Sequence, residues 1–119
     1  MAISAYSTAS PTIGATEYSF AAASTSLPTK TDIGCYALVC DLNALAAGDE
    51  FLIQLYEMGV SGGTKRLLEQ WPVLGPSGEP NYMLPAPGGS FILGNGWDLT
   101  IKKIAGTDRA IPFTLWRIN

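Results

Sequence analysis

From Tyr18 to Ile118 the apolar residues of this chain recur at every second position, in short segments bounded by glycine, proline, serine or asparagine. Side chains of an extended strand point alternately to its two faces, so this pattern builds β-strands and sustains no long helix. Tyr18 and Phe20 share a face opposite Glu17 and Ser19, which predicts a first strand over about 16–22. Phe51, Ile53 and Leu55 alternate with Glu50, Leu52 and Gln54, and the second series continues at Tyr56. A turn over 60–64, with Gly62 and Gly63 free to take positive φ, leads to a returning strand over 65–73. That strand places Leu67, Trp71 and Val73 on one face, and its pairing with 50–58 is the firmest contact expected.

Further strands are predicted at 81–84, as a short edge between two stretches rich in proline and glycine, and at 90–93. Two more follow at 97–102 and 111–118. Residues 41–50 form a connection in which Asp41 and Asn43 bond local backbone and Gly48 permits the reversal. The segment Gly34–Leu42 differs from the rest, because Tyr36, Leu38, Cys40 and Leu42 are apolar on one side and Cys35, Ala37 and Val39 on the other. A strand of that kind is covered on both faces. In a two-layer sandwich only one face meets the core, so the second face lies under a loop, under the N-terminal segment or against another chain.

At 119 residues the chain fits one domain. The expected fold is all-β: a single-domain antiparallel β-sandwich of jelly-roll or Greek-key type, with about seven to eight strands over residues 16–119. Residues 1–15, rich in Ser, Ala and Thr, read as an N-terminal arm with Tyr6 and Ile13 as its sizeable apolar anchors. Such an arm packs along the body's own edge or docks on a neighbouring subunit. Met1–Ser10 has neither a Lys or Arg nor the apolar core of a signal peptide, so the chain is expected to begin as synthesised. No stretch approaches the roughly 18–20 apolar residues of a membrane span, and no membrane contact is expected.

Charged residues make up 14% of the chain against about 25% in ordinary domains, so small neutral side chains must cover much of the surface. A surface like this is poorly defended against association, and protein partners are expected. The net charge is −3 and the seven basic residues are scattered apart from two adjacent pairs, which argues against direct nucleic-acid binding. Cys35 and Cys40 are an odd number of positions apart in one strand, so they face opposite ways and cannot bridge. They read as buried thiols of a reducing compartment, with no zinc spacing around them.

The chain contains no histidine, which removes the usual base of Ser-His-Asp and Cys-His catalysis. Carboxylate pairs among Glu50, Glu57, Glu69 and Asp98 remain as a route to glycoside hydrolysis, if a cavity joins two of them. Ten acidic residues on a β surface form such pairs by chance, and no catalytic residue is assigned. The glycine pairs lack the context of a phosphate loop. Asp41, Asn43, Asp49 and Glu50 do not follow a calcium-loop spacing, so no metal or cofactor is expected. The tryptophans and tyrosines could line a sugar platform or fill a core. Trp97 sits in a regular core alternation, whereas Tyr82 and Trp116 read as exposed or interfacial.

The N-terminal arm, the passage 41–57 (DLNALAAGDEFLIQLYE), the glycine hairpin and the passage 96–109 (GWDLTIKKIAGTDR) together resemble small accessory structural proteins of tailed bacteriophages. The resemblance spans about 14–119 and involves no active-site motif. It implies a head decoration or cement protein, made in the host cytoplasm and carried on the capsid surface of the virion. There it would bind the major capsid protein and tie neighbouring capsomers together, often as a homotrimer. On that reading partner contact falls to Tyr6, Ile13, Tyr82 and Trp116, with the proline-rich loop 74–88, and self-association to Cys35, Ala37 and Val39 or the strand near Trp116. A tail, neck or fibre component and a carbohydrate-binding sandwich are the alternatives.

Overall fold

The described residues form eleven strands: β1 (Ile3–Ala9), β2 (Thr12–Ile13), β3 (Tyr18–Ser19), β4 (Gly34–Asp41), β5 (Glu50–Met58), β6 (Lys65–Leu74), β7 (Asn81–Leu84), β8 (Phe91–Leu93), β9 (Trp97–Ala105), β10 (Arg109–Ala110) and β11 (Phe113–Ile118). The computed structural model describes residues 2–76, 81–84 and 90–118, and at 82–84 the backbone alone. There is no helix among the described residues. The proline-rich stretches expected around β7 lie largely outside them.

Two antiparallel sheets pack as a sandwich. The first runs β1-β11-β4, and β7 and β8 share the far side of β4, one opposite Leu38–Asp41 and the other opposite Gly34–Tyr36. The second runs β3-β9-β5-β6. With β7 and β8 counted as one position, the pairs are nested: β1 with β11, β3 with β9, β4 with β7 and β8, β5 with β6. That is one long antiparallel hairpin rolled across two sheets, the topology of a jelly roll. The short pair β2 and β10 ties the first crossing to the last.

The inward residues of each strand make the core. Tyr36, Leu38 and Cys40 of β4 and Phe113 and Leu115 of β11 meet Phe51, Ile53 and Leu55 of β5 and Trp97, Leu99 and Ile101 of β9, all of them buried. Each such side chain contributes about 1.5–3 kcal/mol when fully buried. At one end Phe20 packs on Phe113 with ring centroids 4.7 Å apart. At the other Tyr36 lies 4.6 Å from Trp97, and their polar tips both donate to the Asp32 carbonyl, at 2.8 and 3.0 Å. Large aromatics are therefore buried here without leaving a donor unpaired.

The described part of the N-terminal arm, residues 2–15, does not extend from this body. β1 is an edge strand along β11, and Ile13 is 1% exposed within the core. A bulge between Ala5 and Ser7 takes Tyr6 out of the ladder and sets it against Tyr36, edge-on at 5.4 Å. The strand at 16–22 is shorter than its pattern predicts, because the chain turns after Ser19 and only the Phe20 N–H still bonds β9, at Leu99.

The β5–β6 pairing forms as expected, but β6 is not a core strand. Leu67 is 46% exposed and Trp71 half-buried, and only Val73 is buried. β6 is the outermost strand of its sheet, and a bulge between Leu55 and Tyr56 shifts its register. Alternation in a sequence reports which residues share a face; it does not report whether a second layer covers that face.

Candidate functional site

The outer face of the first sheet brings together four of the seven residues expected in contacts: Trp116, Cys35, Ala37 and Val39. Strand register aligns Ile3, Ile118, Cys35 and Ile92 in one row across β1, β11, β4 and β8. The next row is Ala5, Trp116 and Ala37, and the third Thr8, Thr114 and Val39. Each row crosses the sheet at strand spacings near 4.8 Å, so neighbours touch sideways. No side chain in the three rows is charged; Asp41, beyond Val39 on β4, marks the end of the neutral area.

Exposure rises from the centre of this face to its margins. Cys35, Ala37 and Val39 are half-buried by their neighbours in the sheet, whereas Trp116 is 40%, Ile3 68% and Ile92 74% exposed. Among the described residues the second apolar side of β4 is thus covered neither by β1, which lies at the sheet's edge, nor by the core. An exposed apolar area of this kind marks a site of association.

The other expected contact residues are placed differently. Ile13 is enclosed by the core and presents nothing outward. Tyr6 is half-buried, its hydroxyl donating to the Asp32 carboxylate and its ring packed against both Tyr36 and Trp97. Burial, followed by the neighbouring Asp32, pushes its phenol well above the usual range. Tyr82 lies on β7 at the register of Cys40, and its side chain is outside the described residues. Ile3 and Ile92 complete the outer face and were not singled out by sequence reasoning. Ile92 stands in a strand that the sequence predicts, whereas Ile3 stands in the expected arm, and which face either shares with Trp116 depends on register.

The four carboxylates considered for catalysis are dispersed. Glu57 accepts the N–H groups of Gly94 and Asn95 at 3.2 and 3.3 Å, Glu69 stands on the exposed strand β6, and Glu50 begins β5. Asp98 instead shares a cavity with Glu17, a residue outside that set. Asp49, considered for calcium, accepts from Ala46, Thr107 and Arg109. Among the described residues the tryptophans do not share a face: Trp97 is buried, Trp71 is half-buried on the second sheet and Trp116 stands on the outer face of the first. Comparison with family models, with curated proteins and with solved structures finds no match.

Proposed function

We propose that the chain is a structural protein of a tailed-phage virion, a head decoration or cement protein that binds the major capsid shell and stabilises it. The observation that carries this reading is the three-row neutral face of the first sheet. A flat, uncharged apolar face is costly to leave in water and suited to seating on a broad protein surface. The jelly-roll topology agrees with the role, since viral capsid proteins use it, although lectins use it too. The resemblance of 41–57 and 96–109 to phage accessory proteins points the same way.

Trp116, expected at the partner, and Cys35, Ala37 and Val39, expected in self-association, fall on one face. We assign that face to the shell, because many modest contacts repeated by symmetry give avidity without one tight interface. Contacts between copies, as a trimer, then fall to the sheet edges, where β6 presents exposed Leu68 and the adjoining hairpin exposed Val60. The cavity between Glu17 and Asp98, at about 190 Å³, is small for the two sugar units that flank a glycosidic bond, which favours binding over catalysis.

The test is mass spectrometry of purified particles, with native mass of the free protein and co-sedimentation with shells. The expected result is presence in the particle, a trimeric native mass, and loss of shell binding without loss of the trimer in Ile92→Asp and Trp116→Glu. A monomer absent from particles, or full shell binding by both variants, overturns the reading.

A further inference from the structure

The outer face of the second sheet carries a polar floor that is almost wholly buried. In register, Thr100 stands beside Gln54 and Ser19, and Asp98 beside Tyr56. Residues on the outer side of a sandwich are ordinarily solvated. Here Ser19, Gln54, Asp98 and Thr100 are all buried, Asp98 to 1% exposure. Next to them Glu17, Leu27, Tyr56, Lys65, Asp98 and Thr100 line an open cavity of about 190 Å³.

Hydrogen bonding in this cavity is incomplete. Asp98 Oδ1 accepts from Ser19 Oγ at 2.6 Å and from the Leu99 N–H at 2.9 Å, whereas Oδ2 is buried without a partner. The Tyr56 hydroxyl, at 3.0 Å, and the Thr100 hydroxyl both donate to Oε2 of Glu17, which leaves Oε1 free among the described residues. Lys65 brings an ammonium to the same cavity, yet it donates to the Pro28 carbonyl at 2.9 Å and lies 5.9 Å from the Tyr56 ring centroid. Neither carboxylate belongs to an ion pair among the described residues. Two carboxylates therefore face one ammonium that contacts neither, and a buried acceptor without a donor is costly.

We propose that this cavity binds an alkylguanidinium group. Its fork supplies paired donors to the free carboxylate oxygens, its plane stacks on the half-buried Tyr56 ring, and its stem lies against Leu27. The exposed wall is mostly carbon, which suits an organic cation better than a hydrated metal ion. Lys65 is a resident organic cation at the rim, in competition with the guest. The site lies on the sheet opposite the neutral face and stands independently of shell binding.

The test is titration of the full chain with agmatine and, separately, with a short neutral peptide carrying one arginine, followed by amide NMR. Saturable shifts at Leu27, Tyr56 and Asp98–Thr100 are expected in the millimolar range. Glu17→Gln and Asp98→Asn should each weaken binding about tenfold or more, and Lys65→Met should tighten it. Tighter binding of the peptide assigns the group to a partner protein's arginine, and tighter binding of agmatine to a free small molecule. Absence of saturable shifts, equal shifts with magnesium chloride, or affinity unchanged in Glu17→Gln and Lys65→Met overturns the proposal. These last two variants alter rim residues and keep the test intact if Asp98→Asn does not fold.

Discussion

Arg109 Nε donates to Asp49 Oδ2 at 2.7 Å, joining the loop before β5 to the strand before β11. Asp49 also accepts from the Ala46 N–H at 2.8 Å and the Thr107 N–H at 3.0 Å, so its carboxylate knots two connections at one end of the sandwich. The Ala46 N–H first, then Arg109 and Thr107, hold its pKa down to about 2, against an ordinary value of 3.8. A carboxyl lowered on folding stabilises the protein above its unfolded pKa, and that contribution is lost as pH falls through the folded one. Stability should therefore decline between about pH 4 and pH 2, and Asp49→Asn should decline less steeply in urea unfolding across that window. Asp98, raised by burial, acts in the opposite sense and is present in both proteins, so the difference isolates Asp49.

Gly106 sits beneath this knot with φ +92°, and a Cβ at this position would overlap Asp49 Oδ1. Gly106→Ala combines left-handed strain with displacement of the Asp49 carboxylate. The expected loss is at least about 1 kcal/mol, read as a lower urea midpoint at unchanged slope. Gly48→Ala, with φ +91° and open space around it, bears the strain alone and should lose less.

Fold class and most strands were legible because Tyr36, Leu38 and Cys40, or Phe51, Ile53 and Leu55, alternate in step with burial. The connection at 41–50 was legible too: Asp41 accepts the Asn43 N–H at 3.0 Å and Gly48 takes positive φ, as local chemistry dictates. What periodicity could not supply is a second layer. Leu67 and Leu68 have the pattern of a core strand and lie at a sheet edge; Ser19 and Thr100 have the pattern of a solvated face and are buried. Bulges at Ala5/Ser7 and Leu55/Tyr56 break the count of two, so Tyr6 turns inward with no mark in its neighbours. The Glu17–Asp98 cavity joins residues 81 positions apart in sequence and depends on β3 lying beside β9, which is a matter of strand order.

Phe113 and Trp116 lie on one strand and point to opposite faces. Phe113 is 4% exposed and packs against Phe20 and Tyr18, with ring centroids at 4.7 and 6.0 Å. Phe113→Ala should cost about 3–5 kcal/mol through lost transfer energy and the cavity left behind. Trp116→Ala, on the outer face, should cost less than about 1 kcal/mol. Comparable losses in chemical denaturation would mean that the outer face is covered within the monomer.

The two thiols report on the same difference. Cys40 is fully buried, and burial pushes its pKa up to about 12, so it holds almost no thiolate and admits no reagent. Cys35 is half-exposed in the first row of the neutral face, between Ile118 and Ile92. Native free protein should therefore release one equivalent of thionitrobenzoate from a disulfide reagent near pH 8, and the second only on unfolding. In shells carrying the protein the first equivalent should be slowed as well, because a partner seated across the row covers Cys35 without altering the fold around Cys40. Equal reactivity of Cys35 in free and shell-bound protein would place the shell contact elsewhere, while early reaction of Cys40 would mean that the core opens on the labelling timescale.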